Sequence, residues 1–223
     1  MKPRISVLYF PGTNCQVETL RVFRRVGGEP TLVFLDEVLS GLARLDTGEI
    51  LCLPGGFAFG DHLGAGTVAG LALRLQLADL VRHRDDLLVL GICNGFQVAI
   101  RAGLFGPGLA LGVNESGTFY DRPDQPHLVD PDNGSPWLDG LGGTELRFPC
   151  AHGEGRFVYT SVGSWRPALR YPVGENPDGS MDGIAGITNG DGLIFGLMNH
   201  PERGAGSADN EAIFANGIRA ARG

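Results

Sequence analysis

Two short segments of the sequence carry residue types that together can perform covalent catalysis. The first, residues 91–97, contains Cys93 between two glycines, where an apolar run ends and a helical pattern begins. A nucleophile on a sharp strand-to-helix turn is presented above the sheet, and a helix N-terminus favours a thiolate. The free N–H groups of that terminus can also stabilise an oxyanion. Taken alone, the segment fits a reactive cysteine and a buried structural cysteine equally well.

The second segment, residues 198–203, contains His200, Pro201 and Glu202 in succession. Because Pro201 disfavours the helical conformation at His200, we expect an extended segment in which His200 and Glu202 point the same way. A histidine oriented by a carboxylate can serve as the base that activates a cysteine. On its own, such a segment is more often an exposed turn in which the glutamate pairs with Arg203. Together with Cys93, it favours a Cys-His-Glu triad.

A pair of glycines, Gly55 and Gly56, follows Pro54 at the end of another apolar run. We therefore expect the pair on the same edge of the sheet as Cys93. Glycine lets a backbone N–H turn toward a ligand without hindrance from a side chain. A simple strand-to-helix turn would need only one such glycine, so this segment adds weight only in combination with the other two.

Apolar runs that alternate with helical patterns must position these segments. Strands are predicted at 5–10, 31–35, 50–53 and 87–90, and helices at 16–26, 67–84 and 97–102. This alternation is typical of a parallel sheet covered on both faces, in which ligands bind at the carboxyl ends of the strands. Later β-like runs are predicted at 146–151, 157–160, 184–188 and 193–198, with a hairpin turn at 188–192 and a last helix at 210–221. The sequence therefore predicts one α/β domain over residues 1–223, with helices flanking a mostly parallel sheet and a partly antiparallel C-terminal extension.

Composition excludes several classes of function. The 223 residues carry 18 Lys+Arg against 25 Asp+Glu, a net charge of −7, and Lys2 is the single lysine. This acidic balance argues against nucleic acid or an anionic membrane surface as the main partner. The longest apolar run is far shorter than the ~20 residues that a membrane span needs. With no signal peptide visible, we expect a cytoplasmic protein.

The four cysteines have no Cys-x-x-Cys spacing, so neither a metal site nor a disulfide framework is predicted. Cys52 and Cys150 lie in apolar runs, where packing is the default role. Cys15 stands at the start of the first predicted helix, a place that favours a thiolate, but no motif supplies it with a histidine.

A strand ending Pro-Gly-Gly, a Gly-x-Cys-x-Gly-x-Gln turn and a late His-Pro-Glu occur here in the order that resembles the class I (triad) glutamine amidotransferases. Within that family the chain is similar to the glutaminase subunits of phosphoribosylformylglycinamidine synthases. The segments that carry the similarity span nearly the whole chain: residues 11–15, 54–61, 93–97, 151–157, 176–180 and 196–203.

The resemblance implies a flavodoxin-like fold and a glutaminase that supplies ammonia for a C–N bond-forming ligase complex. Cys93 is implied to attack the side-chain amide of L-glutamine and form a thioester, while His200 moves the protons and Glu202 orients His200. The resemblance implies two further groups of residues, one that forms an oxyanion hole and one that binds glutamine. The oxyanion hole comprises the N–H groups of Gly56 and Asn94, and the binding residues are Gly55, Gln97, His152, Gly153 and Glu154. For His152, a hydrogen-bonded structural histidine explains the sequence equally well.

The resemblance also implies no cofactor in this chain, with ATP and magnesium on a separate large synthetase subunit and a small accessory subunit in the assembly. That synthetase would convert formylglycinamide ribonucleotide to formylglycinamidine ribonucleotide in de novo purine biosynthesis. The sequence shows no P-loop and no acidic metal cluster. One alternative is a glutaminase of GMP, histidine or anthranilate synthesis, which residues 93–97 and 152–157 disfavour. Another is a non-catalytic binding or chaperone-like relative, which would have no need of His200 and Glu202.

Overall fold

One nine-stranded sheet dominates residues 1–204 and 207–223, which the computed structural model of the chain describes. The elements before Gly106 are β1 (Arg4–Tyr9), α1 (Gln16–Arg25), β2 (Glu29–Phe34), α2 (Leu35–Leu39), β3 (Ile50–Leu53), α3 (Thr67–His83), β4 (Leu88–Ile92) and α4 (Asn94–Ala102). The later elements are β5 (Leu109–Gly112), β6 (Tyr120–Val129), β7 (Glu145–His152), β8 (Arg156–Tyr159), β9 (Trp165–Arg170), β10 (Ile184–Asn189), β11 (Ile194–Leu197) and α5 (Ala208–Ala220). Short 3-10 turns lie at Ala58–Asp61, Pro136–Leu138, Met181–Gly183 and Pro201–Arg203.

The strand order is β2-β1-β3-β4-β11-β10-β9-β6-β7. From β2 to β11 the neighbours run parallel. From β11 to β7 they run antiparallel, and β5 pairs with β8 in a separate antiparallel ribbon. The parallel sheet with its antiparallel extension is therefore confirmed, with four parallel pairings followed by four antiparallel ones, as is the hairpin that joins β10 to β11.

The central parallel strands are buried along their whole length. Every residue of β3, β4 and β11 is buried, which is the continuous apolar pattern of a sheet covered on both faces. Because β1, β3, β4 and β11 are parallel neighbours, the segments that follow them meet at one edge of the sheet. Those segments begin near Thr13, Pro54, Cys93 and Met198, and they include every residue of the expected triad.

Three strands, β5, β6 and β9, were not predicted from the sequence. In β6 the strand pattern is interrupted by Pro123 and Pro126, which have no N–H to donate to a hydrogen bond between strands. The structure accommodates them because β6 pairs with β9 only through Leu128 and Val129, and because its register against β7 shifts between Arg122 and Gln125. A strand with one open side can carry prolines that a central strand could not.

Several predicted boundaries also shift by one to three residues. The strand predicted at 31–35 ends at Phe34, because Leu35 begins the short helix α2. The helix predicted at 97–102 begins three residues earlier, at Asn94.

Among the described residues, no helix combines the length and the apolar character needed to cross a membrane.

Candidate active site

Cys93 occupies a strained turn between β4 and α4. Its φ of 51° and ψ of −110° are rare for a residue with a side chain. The turn is held by the Cys93 N–H, which donates to the backbone oxygen of Leu197 at 2.8 Å. A Cβ on Gly95 would lie 1.8 Å from the Leu53 oxygen, so only glycine permits the close approach of α4 to β3. The Gly-x-Cys-x-Gly spacing thus builds a nucleophile elbow.

The early start of α4 makes Cys93 the residue that immediately precedes the helix. The first N–H groups of a helix have no acceptor within it, so we expect the Asn94 N–H to be available to a ligand. Gly56 supplies the other expected N–H from the end of β3. Its φ of 151° and the 2.7 Å that would separate a Cβ from the Thr13 Cα both require glycine there. The roles of Gly56 and Asn94 in an oxyanion hole stay predictions.

His200 and Glu202 form a buried pair. His200 Nδ1 lies 2.6 Å from Glu202 Oε1, and both residues are 1% exposed. The expectation of an extended segment was wrong, because Pro201–Arg203 forms a 3-10 turn. Only His200 itself keeps a non-helical conformation, as the following proline requires, and the tight turn brings Glu202 back onto the ring.

The second ring nitrogen of His200 is left available. Among the described residues His200 Nε2 has no hydrogen-bond partner, although it is fully buried. Burial by itself lowers the pKa of His200, but the charge of Glu202 and the nearby Cys93 raise it well above the usual range. The carboxylate therefore favours a ring that can accept and hold a proton.

A cavity of about 190 Å³ lies in front of Cys93. Its walls include His200 and most of the residues expected to bind substrate. The predicted residues on its walls are Gly56, Gln97, His152, Gly153 and Glu154, and the other neighbours include Phe57, Asp61, Phe119 and Arg203. Gly55 and Asn94 are not among the lining residues; Gly55 lies behind the His200 ring, and its part in binding stays a prediction.

One wall of the cavity is a hydrogen-bonded network around α4. Asn94 Nδ2 donates to Gln97 Oε1 and to Asp61 Oδ1, both at 2.9 Å. Gln97 Nε2 in turn donates to the Glu154 backbone oxygen at 2.7 Å, and the Ala65 N–H donates to Glu154 Oε2 at 3.0 Å. The network fixes Gln97 and Glu154 on this wall, and their role in binding glutamine stays a prediction.

Asp61 was not singled out from the sequence, although it ends the segment 54–61 that carries the family resemblance. Burial raises its pKa; the hydrogen bond from Asn94 opposes that rise and the charge of Glu154 adds to it. Among its described lining residues the cavity has two carboxyl groups, those of Asp61 and Glu154, on the wall that carries Gln97, and one guanidinium, that of Arg203.

His152 is held by other protein groups. Its Nδ1 lies 3.2 Å from Asn114 Oδ1, and its Nε2 lies 3.2 Å from Cys150 Sγ. Burial, helped by the charge of His200, lowers the pKa of His152 to about 4, so the ring is neutral near pH 7. These contacts support the structural explanation of His152, and the ring presents an uncharged face to the cavity.

Gly55 offers a test of how tightly His200 is held. A Cβ at Gly55 would lie 2.8 Å from His200 Cε1 and 3.2 Å from Cys15 Sγ. We expect Gly55→Ala to displace the ring and lower glutamine turnover by about 100-fold, since misplacement of a catalytic group by ~1 Å has an effect of that order. We also expect a loss of about 1–3 kcal/mol in the free energy of unfolding, measured by urea denaturation.

Gly163→Ala is the matched control, because a Cβ there would meet no atom within 4 Å. The steric explanation fails if Gly55→Ala keeps full turnover or if both substitutions lower it equally.

Cys15 lies beside His200, although no motif in the sequence pairs it with a histidine. It precedes α1 at the end of the loop after β1, and its Sγ is 4.0 Å from His200 Nδ1. The sequence could not show this pairing, because 185 residues separate the two and only the order of the strands brings them together.

Comparison with known proteins agrees with the fold and the expected family. Residues 2–216 match the family described as CobB/CobQ-like glutamine amidotransferase domain. Phosphoribosylformylglycinamidine synthase subunit PurQ of Dehalococcoides mccartyi is 34% identical over 98% of this chain and 92% of that protein. The subunit of the same name from Thermotoga maritima is 37% identical over 96% of both chains.

A solved structure agrees with these relatives. A chain in the structure of PurLQS from Thermotoga maritima has a TM-score of 0.85 and 36% identity to this chain, covering 98% of this chain and 99% of its own length. The chain therefore belongs to the glutamine amidotransferase family, among the phosphoribosylformylglycinamidine synthase subunits PurQ.

Proposed function

We propose that this chain hydrolyses L-glutamine to glutamate and ammonia, and supplies the ammonia to a synthetase that makes formylglycinamidine ribonucleotide. The observation that carries the proposal is the 2.6 Å contact between His200 Nδ1 and Glu202 Oε1, which leaves Nε2 without a hydrogen-bond partner among the described residues, in a histidine that lines the same cavity as Cys93. The names of the relatives support the choice of synthetase.

The first step adds the Cys93 sulfur to the glutamine amide and gives a tetrahedral intermediate. His200 Nε2 takes the proton of the Cys93 thiol, while Glu202 accepts the Nδ1–H bond and stabilises the imidazolium. The thiolate attacks the amide carbon of glutamine. The N–H groups of Gly56 and Asn94 donate hydrogen bonds to the amide oxygen and stabilise the negative charge that develops on it. Each donor of this kind contributes about 3 kcal/mol in related acyl-transfer reactions.

Collapse of the tetrahedral intermediate breaks the C–N bond and leaves the thioester on Cys93. The imidazolium of His200 gives its proton to the departing nitrogen, which leaves as ammonia. A water molecule then attacks the thioester, with His200 Nε2 taking one proton from the water and returning it to the sulfur of Cys93. Glutamate leaves, and thiol and imidazole are restored, so no redox partner is needed.

The remaining chemistry belongs to partner subunits in this proposal. ATP and magnesium act on the large synthetase subunit, which consumes the ammonia, and a small accessory subunit completes the assembly. The related Thermotoga maritima structure is of PurLQS, and this composite name accords with an assembly of more than one kind of subunit. A free glutaminase would waste glutamine, so we expect little turnover by the isolated chain and more once the synthetase binds.

Labelling with diazo-oxo-norleucine, a glutamine analogue that alkylates cysteine, tests the proposal. We expect one adduct, located on Cys93 by peptide mass spectrometry, because this thiol and His200 line the same cavity. Excess glutamine should prevent the adduct, and Cys93→Ala should lack it. Cys52→Ala is the control, since Cys52 is buried inside β3 and does not line the cavity.

The labelling also separates two states of the site. An adduct that forms only after the synthetase is added would show that docking completes the site. No adduct under either condition would contradict the glutaminase function and favour a non-catalytic binding protein of the same fold.

A further inference from the structure

We propose that Cys15 is a positioning residue for His200, held against the imidazole by Arg203. The proposal rests on the function given above, in which His200 moves the protons. Neither residue belongs to the triad, and Cys15 does not line the cavity, so it acts on the reaction through His200.

The backbone of Cys15 is fixed on both sides. Its N–H donates to the Gly55 oxygen at 3.2 Å, which ties it to the loop after β3. Its own oxygen accepts the Thr19 hydroxyl at 2.8 Å and the Thr19 N–H at 3.1 Å in the first turn of α1. The side chain therefore starts from a rigid point at the edge of the sheet.

The sulfur of Cys15 is equally constrained. Its thiol donates to Asn14 Oδ1 at 3.2 Å and accepts a hydrogen bond from Arg203 Nη2 at 3.1 Å. With the residue 2% exposed, solvent has little access to take the place of either partner. Both bonds leave the sulfur 4.0 Å from His200 Nδ1, against the same ring edge that Glu202 contacts.

The 3-10 turn Pro201–Arg203 links the two supports of the ring. Glu202 and Arg203 are successive residues of this turn, and one contacts Nδ1 while the other holds the sulfur beside it. Rotation of the imidazole away from the cavity would have to displace the sulfur, and Gly55 blocks the adjacent side. We infer that carboxylate and sulfur together restrict the ring to the orientation that presents Nε2 to Cys93.

The same cluster offers three ligand atoms to a metal ion, since one ligand atom each from Cys15, His200 and Glu202 lies within 4.8 Å of the others. The guanidinium of Arg203, however, already supplies a cation 3.1 Å from the sulfur. A positive charge in that place disfavours a second cation, so the arrangement fits a support for the imidazole better than a metal site.

Removal of the Cys15 side chain is expected to lower the pKa of His200. The titratable groups that face or couple to His200 are Glu202 and Arg203 from its own turn, Cys93, Cys15, and His152 and Cys150 from β7. Cys15 acts to raise the pKa of His200. Its removal also leaves the charge of Arg203 without its sulfur acceptor near the ring. Both changes destabilise the imidazolium, so the pKa of His200 falls.

Three substitutions in the full chain test the proposal: Cys15→Ala, Cys15→Ser and Thr19→Val. Titration of the labelled histidine rings by NMR, with His200 assigned from its loss in His200→Asn, gives the pKa of His200. Glutamine-dependent turnover with the synthetase gives kcat and KM against pH. We expect Cys15→Ala to lower the pKa of His200 by about one unit and kcat by about tenfold, with KM within about twofold. The alkaline limb of the kcat profile should move to lower pH.

Cys15→Ser should restore most of both values, since a hydroxyl can accept from Arg203 and donate to Asn14. Thr19→Val is the control for local stability, because it removes a buried hydrogen bond to the Cys15 oxygen without touching the ring. It should lower Tm and leave the titration and the pH profile unchanged.

An unaltered titration of His200 in Cys15→Ala would overturn the proposal, as would equal shifts in Cys15→Ala and Thr19→Val. The titration reads the ring whether or not the chain hydrolyses glutamine, so failure here is distinguishable from failure of the glutaminase function.

Discussion

Replacement of Cys93 by alanine is expected to abolish glutamine-dependent synthesis of formylglycinamidine ribonucleotide while leaving ammonia-dependent synthesis intact. The thioester cannot form without the Cys93 sulfur, and loss of a nucleophile in a comparable triad lowers kcat by about 10⁶-fold. The synthetase step does not use Cys93, so ammonium added at high concentration should bypass the loss. The measurement is product formation by the purified complex with each nitrogen source in turn.

The fold should tolerate the change, because alanine keeps the Cβ and Cys93 holds the elbow through its backbone N–H to Leu197. Cys52→Ala serves as the matched control, since it removes a buried sulfur from the neighbouring strand β3 and should retain glutamine use. Residual glutamine turnover in Cys93→Ala above the uncatalysed rate would indicate another nucleophile, and Cys15 would be the first candidate because of its contact with His200. Loss of ammonia-dependent synthesis as well would show that the substitution acts through assembly of the complex.

The positions of Cys93, His200 and Glu202 at one edge of the sheet could be predicted from the sequence, because each residue lies in a segment with a recognisable local pattern. An apolar strand followed by Gly-x-Cys-x-Gly requires a tight turn, whatever the rest of the chain does, and the structure places Cys93 at that turn. Parallel strands bring their carboxyl ends together, so the segments after β3, β4 and β11 had to meet. Alternating strands and helices thus sufficed to place the site at one edge of the sheet.

The features of the site that could not be predicted from the sequence depend on contacts between residues far apart in the chain. Cys15 joins His200 only because β1, β3, β4 and β11 are neighbours in the sheet, and that order is set by packing rather than by any local pattern. Asp61 enters the cavity wall through a hydrogen bond from the Asn94 side chain, which no spacing reveals. Glu202 reaches His200 as predicted but by a 3-10 turn, since a proline restricts the residue before it without fixing the residues after it.

Conversion of Glu202 to glutamine should lower glutamine-dependent kcat by about 10⁴-fold, the order seen for the corresponding change in a Ser-His-Asp triad. The carboxylate only accepts a hydrogen bond, so it holds the proton of a neutral His200 on Nδ1. A glutamine amide can instead donate to Nδ1, which puts the proton on Nε2 and leaves no base facing Cys93. Turnover with glutamine and with ammonium, measured on the same complex, isolates this loss. Glu145→Gln is the control, because that exposed carboxylate contacts Arg147 far from the triad and should be silent.

The pH dependence of stability distinguishes a lost charge from a lost contact in Glu202→Gln. Burial lowers the pKa of His200, but Glu202 outweighs it and raises that pKa well above its value in an unfolded chain, about 6.5. A group whose pKa is raised by folding stabilises the native state fully below its unfolded pKa, and this contribution is lost as the pH rises through the folded value. The stability gap between wild type and Glu202→Gln, from urea unfolding, should therefore be widest near pH 6 and narrow as the medium becomes alkaline. A gap that stays constant with pH would mean that Glu202 acts on a neutral ring. The Glu202 carboxylate would then set the tautomer of His200 without stabilising the imidazolium. During the proposed proton transfers, the negative charge that stabilises the imidazolium would come from the Cys93 thiolate alone.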